Sequence, residues 1–409
     1  MTDQLSLCRF SNAILLIAAT LLLSSGATAI GQTLPDVNQF NFVWGSQSSG
    51  APYSVGDLDG DGLQEYVLNA APGQLDVYCG SAGTTLFTVQ TPTGSFGPGP
   101  FLTGTADLDG DGLRDLLVLD TLETSVFEIL PGQPNVGRVR AISGVTGTDI
   151  WNVPAVLGLD TTGYSHYYTS SVHALGDQNG DGVEDLLVRY ETGVETTSQL
   201  FGVNFISRFT VIEVRSGLDG SLIHNFSTES SESARQIRLA PLGDLTGDGI
   251  ADFAVSAYSR TGPGRVASGI VGFMAGGTYD YFQVLSNSGV DNFFGIDLRR
   301  VGELDDDGVD DIAIFTAGDF GQTSPVFGNP SSTYRVYSGA TFSTIVSRTH
   351  SEAEIGGLYN VSSLGDPVDL TGDGHVDFVM RVSRRPSPNP PGVSYWILDG
   401  KTGDLVTNI

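Results

Sequence analysis

The chain has 409 residues, with 47 Asp+Glu against 19 Lys+Arg for a formal charge of -28, and 40% of it is hydrophobic, including 21 Phe, 14 Tyr and 3 Trp. That apolar content is enough to bury a core, which excludes a disordered acidic chain. Lys401 is the single lysine, so the basic surface that would neutralise nucleic-acid phosphates or anionic lipid is missing, and no nucleic-acid partner is expected.

The chain opens with a targeting pattern. Arg9 precedes an apolar run from Ala13 to Leu23, and Ala27-Thr28-Ala29 fits the small-residue cleavage rule. Residues 1–29 therefore read as a secretory signal. The run is well short of the ~20 residues that span a bilayer, so no membrane insertion is expected after cleavage. The mature protein is expected to be secreted, periplasmic or at the cell surface. Cys8 lies inside this leader and Cys79 is the other cysteine, so the mature domain is expected to have no internal disulfide.

After a segment at 30–50, an acidic nine-residue loop recurs six times, at 57–65, 107–115, 177–185, 244–252, 303–311 and 369–377. Carboxylates, with an occasional Asn or Thr, occupy positions 1, 3, 5 and 9. These are Asp57, Asp59, Asp61 and Glu65; Asp107, Asp109, Asp111 and Asp115; Asp177, Asn179, Asp181 and Asp185. The later loops have Asp244, Thr246, Asp248 and Asp252; Glu303, Asp305, Asp307 and Asp311; Asp369, Thr371, Asp373 and Asp377. Such crowding is repulsive unless a hard cation sits among the oxygens, and Ca2+ is the expected ion, at up to six sites. Position 6, where the loop must turn sharply, is Gly62, Gly112, Gly182, Gly249, Gly308 and Gly374.

These are not EF-hands. Position 12, where an EF-hand needs a bidentate Glu, holds Leu68, Val118, Val188, Val255, Ile314 and Met380. A short apolar run follows each loop instead, such as Leu116-Leu117-Val118-Leu119 or Ile312-Ala313-Ile314-Phe315, and reads as a buried strand. Further on, Val139–Ile142, Val211–Val214 and Trp396–Leu398 run into Gly-containing turns and read as hairpins. One repeat is thus a strand into the loop, a strand out of it and a hairpin. Its expected form is a four-stranded antiparallel sheet, and radial repetition of such sheets makes an all-β β-propeller. The six repeats are bounded at 51–100, 101–160, 171–230, 236–288, 293–350 and 358–409. They are far longer than the units of a linear β-solenoid.

The pattern in Gly176–Asp185 and Gly243–Asp252 resembles the FG-GAP repeat of integrin α-subunit propellers and of bacterial secreted proteins. That resemblance implies a calcium loop between the first two strands of each blade. Ligands would come from positions 1, 3, 5 and 9, with a backbone carbonyl from position 7: Leu63, Leu113, Val183, Ile250, Val309 and His375. The apolar side chain at this position in five loops is compatible with facing the core while the carbonyl faces the ion. Glu303 for Asp at position 1 and Asp306 for Gly at position 4 imply altered geometry in the fifth loop. Integrin-type propellers have seven blades; six repeats are counted here, with seven as the alternative. Phe40–Trp44 is the candidate strand to close a ring.

Functionally, the resemblance implies a non-catalytic adhesion or ligand-binding module, a monomer whose partner is an extracellular protein or glycan. The alternative is an extracellular polysaccharide lyase or hydrolase on a calcium-stabilised propeller. The sequence contains no G-x-S-x-G or H-E-x-x-H motif, and its five His show no metal-ligand spacing.

Overall fold

The computed structural model describes residues 53–71, 73–80, 82–91, 101–104, 107–120, 138–154, 165–197, 204–230, 235–259, 269–287, 294–317, 331–351, 358–363, 369–384 and 393–408. The leader at 1–29, the segment at 30–50 and the candidate strand Phe40–Trp44 lie outside the described residues.

Every regular element among the described residues is a strand. The first sheet is β1 (Tyr53–Ser54), β2 (Tyr66–Ala71), β3 (Gln74–Tyr78) and β4 (Thr85–Gln90), and the second β5 (Phe101–Gly104), β6 (Leu116–Asp120), β7 (Arg138–Ile142) and β8 (Asp149–Pro154). The third is β9 (Ser165–Gly176), β10 (Asp185–Thr197), β11 (Asn204–Arg215) and β12 (Leu222–Ser230), and the fourth β13 (Arg235–Gly243), β14 (Asp252–Ser259), β15 (Gly269–Met274) and β16 (Tyr281–Asn287). The fifth is β17 (Phe294–Gly302), β18 (Asp311–Ala317), β19 (Ser331–Tyr337) and β20 (Thr344–Ser351), and the sixth β21 (Leu358–Ser363), β22 (Phe378–Arg384), β23 (Val393–Leu398) and β24 (Leu405–Asn408). Each sheet is an antiparallel meander with its strands in sequence order. The fold is all-β and of β-propeller type, built from four-stranded blades, and every acidic loop connects the first strand of a blade to the second.

The chain divides into two compact units. The first holds the first two blades, and one cluster unites them: Val67, Leu75 and Val77 of one sheet pack with Leu116, Val118 and Ile142 of the other. The second unit holds the last three blades and most of the third. Here the apolar runs after the loops explain the architecture. Along β14, Phe253 and Val255 pack with Leu187 and Ile212 of the third blade, while Ala254 packs with Ile312 and Ile314 of the fifth. Along β18 the alternation continues, with Ala313 and Phe315 meeting Phe378 and Met380 of the sixth. Side chains of a strand point alternately to its two faces, so a strand covered on both sides must be apolar at every position. That is why Leu116–Val118, Leu186–Val188 and Ile312–Ile314 are all 0% exposed.

The outer hairpins also follow one plan. A register shift precedes the turn in all six, for example between Val77 and Tyr78 and between Val336 and Tyr337. In the turn itself the fifth residue donates its N–H to the carbonyl of the first, as from Gly83 to Cys79 and from Gly403 to Asp399. That fifth residue is left-handed, which suits Gly83, Gly147, Gly220 and Gly403, but Tyr279 (φ 62°) and Phe342 (φ 57°) adopt the same conformation. Aromatic packing offsets the strain of placing a bulky residue there. Tyr279 stacks on His224 with ring centroids 4.4 Å apart, and Phe342 lies 4.7 Å from Phe273. In the full-length chain Cys79 is disulfide-bonded; the expectation of no internal disulfide concerns the chain without its leader, where the other cysteine lies.

Candidate metal centre

Each loop is drawn around its position-1 carboxylate. In the first loop Asp57 Oδ1 accepts the N–H groups of Gly60 (2.7 Å) and Asp61 (3.1 Å), and Oδ2 that of Gly62 (2.9 Å). Asp107, Asp177 and Asp244 repeat the arrangement. Asp369 accepts the N–H groups of Gly372 and Gly374. So tight a wrap needs two left-handed residues. Position 6 glycines have φ of 85–90°, and position 4 is left-handed as well, with Gly60 at 76° and Gly110 at 81°. The sequence shows Gly at position 4 in five of six loops, and the left-handed turn that it serves comes into view only in the fold. Asp306, the exception, sits at φ 64°, a conformation Asp tolerates better than most residues. Position 5 caps the turn, with Asp61 Oδ1 accepting the N–H of Leu63 at 2.8 Å and its counterparts doing the same.

Position 9 closes the loop from beneath. Glu65, Asp115, Asp185, Asp252, Asp311 and Asp377 are at most 1% exposed. One oxygen of each accepts the N–H of position 2, at 2.5–2.8 Å. In five blades the other oxygen accepts the N–H of a glycine in the blade's own outer turn: Gly80, Gly144, Gly276, Gly339 or Gly400. Those glycines have no room for a side chain. A Cβ there would lie 1.8–2.4 Å from the position-8 carbonyl oxygen of the same blade's loop. The closing carboxylate thus joins loop to hairpin as well as facing the loop interior.

Residues 57–118 match the FG-GAP-like repeat family. Over those residues the chain carries an FG-GAP-like repeat. Among solved structures, the chain is similar to Saccharomyces cerevisiae Sqt1 (8% identity, 88% of this chain and 86% of that one, TM-score 0.42). It is also similar to BamB from Moraxella catarrhalis (12%, 88% and 74%, TM-score 0.36) and to a europium-containing methanol dehydrogenase (13%, 84% and 67%, TM-score 0.38). At these scores the likenesses carry no inference about what this chain does.

In three of the six loops the candidate ligands converge. Oxygens of Asp59, Asp61 and Glu65 come within 4.8 Å of one another, together with Cys79, and so do those of Asp107, Asp109 and Asp115 and those of Glu303, Asp305 and Asp311. These are the loops with a carboxylate at position 3. The loops with Asn179, Thr246 and Thr371 there form no such group among the described residues. Carboxylate oxygens make up all three groups, joined in the first by Cys79 Sγ. That set fits a hard divalent cation. Glu303 does not break its loop: its longer side chain takes the N–H groups of Asp305 (3.0 Å), Asp307 (3.2 Å) and Gly308.

The electrostatics fit a cation too. Burial pushes Glu65 up to about 8, opposed by the Leu58 N–H and reinforced by the charges of Asp59 and Asp61. Burial likewise raises Asp115 and Asp311 to about 6, and raises Asp252. Asp369, wrapped by the N–H groups of Gly374 and Gly372, is held below the usual carboxylate range. In Asp177 burial is the largest single influence and acts upward, but the N–H groups of Gly182, Gly180, Asn179 and Asp181 together outweigh it and hold the carboxyl below its usual range. A cation at the first, second or fifth loop would restore the charge that burial disfavours.

Position 7 departs from expectation. Leu63 is 42% exposed and Leu113, Val183, Ile250, Val309 and His375 are half-buried, so these side chains do not enter the core. They cover glycines at the loop surface: Ile250 and Val309 lie against Gly276 and Gly339 of their own turns, and Leu113 against Gly60 of the neighbouring loop. His375 Nε2 accepts from Lys401 Nζ at 3.0 Å, which brings the single lysine of the chain to the sixth loop.

Proposed function

We propose that this chain is an exported, calcium-stabilised propeller that binds an extracellular protein or glycan without catalysing a reaction on it. The observation that carries the metal part is the grouping of acidic oxygens within 4.8 Å in three loops, each with a closing carboxylate whose charge burial disfavours. Carboxylate donors in every group and a loop already wound by its own N–H groups favour calcium, whose larger and more flexible shell tolerates such a site; magnesium demands near-ideal octahedral geometry and dehydrates reluctantly. The positions contributing ligands are 1, 3, 5 and 9, with a main-chain oxygen from position 7.

Export and ligand binding are supported by the leader pattern and by the kind of fold. Calcium at extracellular-type sites binds with Kd of roughly 10⁻⁴ to 10⁻³ M, so the ion would stay bound outside a cell and leave in a cytosol. The test combines a glycan array in millimolar calcium with an activity screen on the same polysaccharides. Binding that chelator abolishes, with no turnover, is the expected result; release of oligosaccharides would overturn the non-catalytic reading.

A further inference from the structure

Position 2 of the loop is Leu58, Leu108, Leu245, Leu304 or Leu370 in five blades and Gln178 in the third. Gln178 is 5% exposed, and a buried amide in place of a leucine is costly unless its hydrogen bonds are made. The structure supplies them from the next blade. Gln178 Nε2 donates to the Ala251 carbonyl at 2.8 Å and to Leu175 O at 3.2 Å, while Oε1 accepts the Gly277 N–H at 3.2 Å.

These partners lie at the heart of two loops. The main-chain N–H of Gln178 donates to Asp185 Oδ2 at 2.7 Å, so its backbone is held by the closing carboxylate of loop 177–185. Ala251 immediately precedes Asp252, the closing carboxylate of loop 244–252, and Gly277 follows Gly276, whose N–H donates to Asp252 Oδ1 at 2.8 Å. One residue therefore connects the two closing carboxylates through its main chain on one side and its amide on the other. A leucine at this place packs but fixes neither neighbour in direction.

We propose that loops 177–185 and 244–252 take up calcium as a coupled pair, with Gln178 as the positioning residue that transmits occupancy between them. This rests on the reading of the loops as calcium sites. An ion that orders Asp185 fixes the Gln178 backbone, which aims the amide and so holds Ala251 and the turn against Asp252. Coupling of this kind is reciprocal, so each site must affect the other by the same factor.

The test is a calcium titration of the full chain followed at the Gly182 and Gly249 amides, one reporter per loop. Each donates to its own position-1 carboxylate, at 2.8 and 2.7 Å. Asp248→Asn is expected to weaken calcium binding read at Gly182 by about fivefold or more, and Asp181→Asn to weaken that read at Gly249 by the same factor. In a Gln178→Leu background both cross-effects should vanish. An unchanged Gly182 titration in Asp248→Asn overturns the proposal, as does coupling that persists in Gln178→Leu. Should Gln178→Leu fail to fold, the reciprocal pair decides alone. If neither glycine responds to calcium in the wild type, the calcium reading itself falls and the coupling with it.

Discussion

The loops at 57–65 and 244–252 share a fold but stabilise it differently. In the first, Asp59 at position 3 is buried and its charge helps to drive Glu65 up to about 8. In the second, Thr246 brings no charge, and its N–H donates to Asp252 Oδ2 at 2.9 Å beside that of Leu245. Thr371 repeats this on Asp377 at 2.8 Å. The closing carboxylate of a Thr loop thus accepts three backbone N–H groups, counting the turn glycine, and the protein itself provides much of the positive potential. An all-carboxylate loop leaves that task to a cation. The expected dependence on metal therefore differs between blades that are otherwise alike.

The largest expected effect tests whether the strands beyond the two kinds of loop are equally essential. Leu117, after an all-carboxylate loop, is 0% exposed, and Val255, after a Thr loop, is 8% exposed. Leu117→Asp and Val255→Asp each bury an unpaired charge at a cost of several kcal/mol, comparable with the whole stability of a domain. Both should abolish soluble expression, while Arg114→Asp, at an exposed position, should be recovered folded. A soluble Val255→Asp protein would show that the Thr blades are dispensable.

Next comes calcium itself. At a hundredfold excess over Kd each site adds about 2.7 kcal/mol, so the melting midpoint should rise from chelator to millimolar calcium. Asp61→Ala and Asp111→Ala should each remove one bound ion and more of that rise than Asp248→Ala does. Equal losses in calorimetric scans would erase the distinction between the loops. Asp109→Thr sharpens it further: by converting one kind of loop to the other, it should weaken calcium binding at that loop and raise the midpoint measured in chelator.

The pH dependence of the metal-free protein is a smaller effect with a definite sign. Glu65 titrates near 8 when folded against an ordinary value of 4.5, so between these values the folded chain holds a proton that the unfolded chain has released. Stability in chelator should fall as pH rises from about 4.5 to about 8. Urea melts at the two ends of that range would show it, and calcium should flatten the difference. Stability that rises with pH in chelator would mean that Glu65 is already compensated.

Most of the blade was legible in the sequence because its signals are local. The acidic loop, the apolar run after it and the Gly-containing turn each announce themselves within about ten residues. What escaped depends on contacts distant in sequence. Tyr279 and Phe342 hid two left-handed positions, because the usual glycine had been replaced by an aromatic residue that the preceding blade supports. The burial of position 9 and its bond to the outer turn were invisible because Asp115 and Gly144 meet only once the blade is folded. The apolarity of position 7 was compatible with a side chain facing the core, whereas Leu113, Ile250 and Val309 lie over glycines at the loop surface.

The crowded glycines of the outer turns bear on how a blade finds its pairing. Hairpin strands such as Arg138–Ile142 and Asp149–Pro154 are short and have little in themselves to prevent sliding past one another by a residue, and such slippage is how sheets mispair and aggregate. In these blades a slip would carry a side chain to the place of Gly144 or Gly400, against a carbonyl oxygen 2.0 or 1.8 Å from its Cβ, and would strand the buried carboxylate above it. Each turn therefore works as a detent: the hairpin clicks home in one alignment, and a misthreaded blade is rejected before its neighbour is laid on it.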